Sequence, residues 1–302
     1  MKNIIYIQKR IYVTVKVDAI QFYNPSTKET SSMYPNEISV LFLDNAKSTI
    51  QTEAVNRLLN CQATIIFCDK KRSPTALISN DFGHSNKVAV LRKQMELYQK
   101  VKNRLWQKII KIKIQNQLNV IRWFITDEKQ VELDFLKLIN EVSEGDDSSR
   151  ESVAARRYFS LCYGKEFKRG RFDDKINASL NYGYALLRAI IRKCLVSHGF
   201  EPALGIHHAS VENPFNLSDD IIEPYRPFLD AIALQYIATN GKSDFEQEDR
   251  LLLIKEVLMV HCIIDDRGYT LHDAINVTVE SLIKCMESNS SSGLLLPAMI
   301  EP

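Results

Sequence analysis

The segment from Gly205 to Pro227, GIHHASVENPFNLSDDIIEPYRP, is rich in side chains that could bind a metal or transfer a proton. It contains two histidines, His207 and His208, and after Asn216 three closely spaced acids, Asp219, Asp220 and Glu223. Residues three and four apart share a helix face, so either aspartate could face the same way as Glu223. Imidazole with carboxylate suits Mn²⁺ or Mg²⁺ better than a structural zinc site, which usually draws on clustered cysteines. The segment therefore indicates a candidate site for a divalent metal.

The same residue types also have ordinary structural roles. Adjacent histidines occur in loops without binding metal, and acids near a helix start stabilise the helix dipole. From the residues alone both interpretations stay open.

Another carboxylate, Glu151, opens the predicted helix ESVAARRYFSLCYG. Ser148 precedes it by three residues, which is the spacing of a capping box, in which the Glu side chain accepts a backbone N–H. Spacing alone favours this capping role over a chemical one.

A polar stripe marks the next predicted helix, DDKINASLNYGYALLRAIIRKC. Asn177, Asn181 and Tyr184 follow one side of it, and Arg188 comes one turn later. Asn and Gly are unfavourable in helix interiors, so the stripe needs an explanation. A functional face and a buried hydrogen-bonding network between helices account for it equally well.

The elements that must position these side chains change character near residue 84. Up to about Ser79 the sequence is rich in Ile, Val, Phe and Tyr at strand-like spacing, as in ISVLFLD and ATIIFCD. From Asn86 to about Phe124 apolar residues recur every three or four positions, which predicts a long helix, and helices dominate the remainder. We expect an α+β protein: a small β-sandwich-like domain (1–84), a larger all-α catalytic domain (85–287) and a flexible Ser-rich tail (288–302).

Charges are segregated along the chain, although the formal net charge is only +2. Nine Lys or Arg residues and one acid lie between Ser85 and Val120. A polyanion such as nucleic acid would suit this block, with Lys100, Arg104 and Lys108 as the expected DNA contacts. A solvated helix face is the alternative interpretation.

Composition narrows the class of protein. The chain has 302 residues, of which 45% are hydrophobic, and none of its apolar runs approaches the roughly 20 residues of a membrane span. No leader pattern is recognisable at the N-terminus, and the six cysteines form no CxxC pair. We expect a cytoplasmic protein with reduced thiols and no membrane partner.

Five motifs in order closely resemble the CRISPR-associated endonuclease and integrase of spacer acquisition. They are RESVAARRYF around Glu151, RFDDKIN, NYGYALLR, GIHH and FNLSDDIIEPYRP. The double histidine and the length are most similar to the type II members. The resemblance extends to the N-terminal strands, so it covers both halves of the chain.

The resemblance implies a metal site made of one Glu, one His and one further acid. The family's Glu opens a helix in a Glu-Gly-x-x-Ala pattern, which here is Glu151 followed by Ser152 in place of glycine. A Gly-x-x-His pattern selects His208 over His207, and the acidic helix before Pro-x-Arg-Pro selects Glu223, with Asp220 one turn earlier. These three are therefore the expected catalytic residues and ligands of Mg²⁺ or Mn²⁺. Supporting roles are expected for Asn177, Asn181, Tyr184, Arg188 and Asp220.

The resemblance also implies partners and an activity. The partners would be double-stranded DNA (protospacer and repeat array), a second copy of the chain in a homodimer, a small ferredoxin-like CRISPR-associated protein, and further type II CRISPR proteins. The activity would be metal-dependent insertion of short foreign DNA into the repeat array, by attack of its 3′-OH on a phosphodiester. A stand-alone structure-selective DNA nuclease and a non-catalytic DNA-binding scaffold are the alternatives.

Overall fold

The computed structural model describes residues 3–69, 74–78, 86–239, 241 and 244–301. The chain divides into two compact units, Met1–His84 and Ser85–Pro302, which we call the N-terminal and C-terminal units. Residues 79–85, where the sequence changes character, lie outside the described residues.

Strands dominate the N-terminal unit. They are β1 (Asn3–Ile7), β2 (Tyr12–Lys16), β3 (Ala19–Tyr23), β4 (Thr30–Met33), β5 (Ile38–Leu43), β6 (Thr49–Ile50), β7 (Thr64–Cys68) and β8 (Pro74–Ile78), with helix α1 (Thr52–Asn60) before β7. One sheet has the order β1-β5-β7-β8 and the other β4-β3-β2-β6. The pairs β1–β5 and β5–β7 are parallel, whereas β2–β3 and β3–β4 are antiparallel.

A shared apolar core joins the two sheets of this unit. Val13 and Ile20 from one sheet pack with Leu41 and Ile65 from the other, together with Leu58 of α1, and all five are fully buried. Alternation of buried and partly exposed residues in β3 gives that strand one core-facing side. The predicted β-sandwich-like arrangement is confirmed.

Helices dominate the C-terminal unit. They are α2 (Lys87–Glu96), α3 (Gln99–Phe124), α4 (Lys129–Glu141), α5 (Arg150–Tyr163), α6 (Lys175–Ser197), α7 (Asn216–Ile221), α8 (Arg226–Ile232), α9 (Gln247–Met259) and α10 (Leu271–Ser288). A 3-10 turn, Glu223–Tyr225, separates α7 from α8, and a π-helical turn, Ala233–Ile237, follows α8. Among the described residues no helix is both long and apolar enough to cross a membrane.

Helix α3 is central to this unit, since it packs against α4, α5 and α8. The single helix predicted from Asn86 to Phe124 is in fact two helices. Leu97 between them has an extended backbone, with ψ 121°, and its side chain is buried. Burial of this leucine stabilises the break.

The segment after α10 is packed, so the expected flexible tail is wrong for residues 289–301. Ala298–Met299 forms β11, which pairs with β9 (His261–Ile264) beside β10 (Arg267–Thr270). Leu294 is buried, and Leu295 N donates to Ser281 Oγ at 3.0 Å. Backbone hydrogen bonds thus hold a Ser-rich stretch whose composition alone suggests disorder.

Candidate functional site

Lys113 of α3 lies where two of the predicted metal ligands meet. Its Nζ contacts Glu151 Oε1 and is 2.5 Å from Glu223 Oε2. The side chains of Lys113 and Glu223 are 5% and 6% exposed, and that of Glu151 is 30% exposed. The structure therefore brings Glu151 and Glu223 together around one cation.

The start of α5 explains why the Glu151 side chain is available. The Asp146 carboxylate accepts the backbone N–H groups of Arg150 and Glu151, at 2.9 and 3.0 Å, so this aspartate caps the helix. Ser149, and not Ser148, occupies the N-cap position, with φ 52°. The capping box predicted for Ser148 and Glu151 is therefore wrong.

Two prolines set the position of Glu223. Pro224 and Pro227 lie in the 3-10 turn and in the first turn of α8, where their missing N–H groups interrupt a continuous helix. Nη2 of the Arg226 guanidinium is 3.1 Å from Glu223 Oε1. Burial raises the pKa of Glu223, but the charges of Arg226 and Lys113 outweigh it and hold this pKa below its usual range. Glu223 is an ionised, buried carboxylate at neutral pH.

Asp220 organises the turn that carries the two histidines. Its side chain is fully buried, and its oxygens accept the backbone N–H groups of Ile206, His207 and His208 at 2.5, 3.1 and 3.0 Å. Oδ1 also lies 2.7 Å from His208 Nδ1. A Cβ added at Gly205 would be 2.2 Å from the His208 carbonyl oxygen, so only glycine fits there.

His208 is held through Nδ1, which leaves Nε2 as its second ring nitrogen. The hydrogen bond to Asp220 raises the pKa of His208, burial opposes this, and the charges of Asp220 and Glu223 add to the increase. The neighbouring His207 ring stacks on Trp106 of α3, with centroids 4.2 Å apart and an interplanar angle of 1°. The structure thus gives the two histidines different surroundings.

A cleft of about 550 Å³ opens beside Lys113. Its lining includes Glu151, Tyr184 and Asp230, and five further basic residues, Arg156, Lys165, Lys168, Arg169 and Arg226. Tyr184 donates a hydrogen bond of 2.5 Å to Asp230, and burial raises the pKa of Asp230 to about 6. The two glutamates that meet at Lys113 therefore lie next to a group of basic side chains that would suit a polyanionic ligand.

The donor chemistry suits a hard divalent ion, because Glu151 and Glu223 turn carboxylate oxygens toward one shared cation. The grouping is nevertheless looser than expected. His208 lines a different cleft, with Gly205 and Asn216. In the described part of the chain no three His, Cys, Asp or Glu side chains are grouped closely enough to hold a metal, and Lys113 stands between the two glutamates.

The polar stripe on α6 divides into separate contacts. Asn177 bonds to Lys168 O and Gly170 N, and Asn181 Nδ2 donates to Gly170 O at 3.2 Å, so both fasten the preceding loop to the helix. Tyr184 reaches the cleft, whereas Arg188 forms an ion pair of 2.8 Å with Asp219. Hydrogen bonding therefore accounts for the two asparagines.

Two of the three expected DNA contacts on α3 have partners within the protein. Arg104 forms an ion pair with Glu144 at 2.8 Å, and Lys108 Nζ donates to Ser292 O at 2.9 Å, while Lys100 is exposed. Sequence reasoning missed Arg156, Lys165, Lys168 and Arg169 of the cleft, which lie in the short RRYFSLCYGKEFKRG stretch. It also missed the special position of Lys113 among the nine basic residues.

The chain is similar to known proteins over most of its length. Residues 5–261 match the family described as CRISPR associated protein Cas1. A relative from Neisseria meningitidis serogroup C, strain 8013, named CRISPR-associated endonuclease Cas1, is 31% identical over 276 residues, which are 90% of this chain and 88% of the relative.

Two solved structures share the fold. A casposase bound to integration product has a TM-score of 0.80 and 17% identity, covering 96% of this chain and 92% of the casposase chain. A Cas6-RT-Cas1–Cas2 complex has a TM-score of 0.74 and 17% identity, covering 97% of this chain and 36% of the longer one. The resemblance found in the five motifs is confirmed, and the chain belongs to the CRISPR-associated Cas1 family.

Proposed function

We propose that this chain is a metal-dependent DNA endonuclease and integrase of CRISPR adaptation. It would insert short foreign DNA duplexes into the repeat array through attack of a 3′-OH on a phosphodiester. The observation that carries the proposal is the meeting of Glu151 and Glu223 at one cation beside a basic cleft. The endonuclease name of the Neisseria relative and the casposase bound to its integration product support the same activity.

The site residues have two proposed roles, which are binding the metal ion and transferring a proton. Glu151 and Glu223 would hold Mg²⁺ or Mn²⁺, which supplies a Lewis acid for a non-bridging phosphate oxygen. His208, fixed through Nδ1 by Asp220, presents Nε2 either as a third ligand or as the group that protonates the leaving oxygen. Arg156, Lys165 and Lys168 would hold the phosphate backbone.

The chain would act in an assembly. We infer a homodimer joined through the N-terminal unit, because pairing across a two-fold axis covers exposed strand edges with a closed interface. A second copy also supplies a second site for a substrate with two ends. The Cas1–Cas2 complex among the neighbours supports a small ferredoxin-like partner, and other type II CRISPR proteins are further candidates.

Single substitutions in the site test the proposal. Glu151→Gln, His208→Ala and Glu223→Gln should each abolish cleavage and strand transfer with Mn²⁺ while DNA binding persists, since the basic cleft remains. His207→Ala is the matched control and should be milder than His208→Ala, because that ring stacks on Trp106. Wild-type strand transfer by all three variants would refute the assignment.

The same assays separate the alternatives. A structure-selective nuclease would cleave with Mn²⁺ but perform no strand transfer into a repeat duplex. A scaffold would bind DNA equally well with and without Mn²⁺ and do neither reaction.

A further inference from the structure

Lys113 is a charged group at the centre of the site that the proposed reaction does not use. Its side chain is almost completely buried, and its ammonium contacts both Glu151 and Glu223. Removing an ammonium from water is costly, and a well-packed apolar residue often serves stability as well as a buried ion pair does. A lysine here therefore calls for a role tied to its charge.

The charges around Lys113 balance without any metal. Glu151 and Glu223 contribute two negative charges, and Lys113 and Arg226 contribute two positive ones, so the group of four is neutral. A divalent ion placed between the glutamates would meet the ammonium at short range, in surroundings where repulsion is poorly screened. The ion and the ammonium therefore exclude each other from this position.

The structure gives the ammonium somewhere to go. Lys113 lines the cleft of about 550 Å³, so its flexible side chain can turn into this space without moving α3. Arg226 also lines this cleft, but its guanidinium contacts only one of the two glutamates, Glu223, and lies over the Tyr184 ring at 4.9 Å from the centroid.

We propose that Lys113 is the resident counter-cation of the metal-free protein and that a divalent ion displaces it into the cleft when it binds between Glu151 and Glu223. The lysine keeps the two carboxylates together before the ion arrives and lowers the affinity for the ion. The inference rests on the proposed function for the presence of an ion, but metal binding and unfolding test it without DNA.

Lys113→Met is the direct test in the full-length protein, because methionine keeps much of the side-chain volume and removes the charge. Mn²⁺ affinity is measured by titration calorimetry and Tm by calorimetry in EDTA and in saturating MnCl₂. We expect the Kd for Mn²⁺ to fall at least about tenfold. We expect Tm in EDTA to fall by about 5–15 °C, because the buried Glu223 and the partly exposed Glu151 lose their shared cation, and we expect saturating Mn²⁺ to restore most of that loss.

Controls separate this role from an ordinary ion pair. Lys111→Met makes the same change two residues earlier on α3, at a position outside the lining of the cleft, and should leave both quantities unchanged. Lys113→Arg keeps the charge and should keep the weak binding. If Lys113→Met is too unstable, the double variant Lys113→Met/Glu151→Gln should regain Tm in EDTA, since it removes the carboxylate that lost Lys113, whereas Glu223 keeps Arg226.

Either of two results would overturn the inference. One is Mn²⁺ binding to Lys113→Met that is no tighter than to the wild type. The other is a loss of Tm that Mn²⁺ leaves in place. Failure of the proposed function is distinct, because it would appear as a wild-type protein that binds Mn²⁺ and neither cleaves nor joins DNA.

Discussion

Replacing Asp220 with asparagine should destabilise the C-terminal unit far more than removing the histidine beside it. The buried carboxylate accepts three backbone N–H groups and faces His208 Nδ1. An asparagine amide keeps one acceptor oxygen and turns an NH₂ group toward backbone donors. At least two bonds to a charged acceptor are lost, at about 1.5–3 kcal/mol each, so the free energy of unfolding should fall by about 3–6 kcal/mol.

Calorimetric unfolding in EDTA measures this effect without a contribution from metal. For a unit of this size the loss corresponds to a fall in Tm of roughly 6–20 °C. His208→Ala is the control, because its side chain is 41% exposed and its removal leaves all three backbone bonds to Asp220. We expect that variant to lose no more than about 1 kcal/mol. Equal losses in the two variants, or a change below about 2 °C for Asp220→Asn, would refute the assigned role of Asp220.

Four further outcomes follow from the structure. His208 has a raised folded pKa, so its stabilising contribution is complete below its unfolded pKa of about 6.5 and is lost as the pH rises through the folded value. Urea unfolding in EDTA should therefore show the stability gap between wild type and His208→Gln closing as the pH rises above about 6.5. Gly205→Ala should disrupt the same turn and lower Tm in EDTA by at least about 6 °C, whereas Gly241→Ala, where a Cβ meets no atom within 4 Å, should cost less despite its positive φ. Charge reversal of three cleft residues, Arg156, Lys165 and Lys168, should flatten the slope of DNA affinity against log salt by about two to three. Reversal of Lys100, Arg104 and Lys108 on α3 should have a smaller effect. An equal or larger effect of the α3 variant would show that the DNA contacts lie on α3. Light scattering should find a homodimer for the whole chain and a monomer for a chain starting at Ser85, and tight dimerisation of the shorter chain would place the interface elsewhere.

Much of the secondary structure was predictable because its signals are local. The helices predicted in ESVAARRYFSLCYG and DDKINASLNYGYALLRAIIRKC are α5 and α6 of the structure, and the side chain of Asp174 caps α6 by accepting a hydrogen bond from Asn177 N. The strands of the N-terminal unit were recognisable from β-branched composition. Their parallel pairing is non-local, and no short-range pattern specifies which strand lies beside which.

The parts that sequence reasoning missed depend on tertiary contacts. The hairpin of β9 and β10 turns at Asp265 and Asp266, which have φ values of 50° and 59°, and its short strands gave too weak a periodic signal. At the site, motif resemblance selected Glu151 and Glu223, but nothing in the basic block distinguished Lys113. Its position depends on α3 and α5 packing together and on the prolines that present Glu223.

The stacking of Trp106 on His207 also makes the site optically visible. The chain contains two tryptophans, and the other, Trp123, lines a separate groove beside Phe228 near the end of the same helix. A protonated imidazole quenches the emission of an indole in contact with it, whereas a neutral one does so weakly. The fluorescence of Trp106 should therefore respond to changes in the His207–His208 turn, with Trp123 as a reference on the same helix and no attached dye needed.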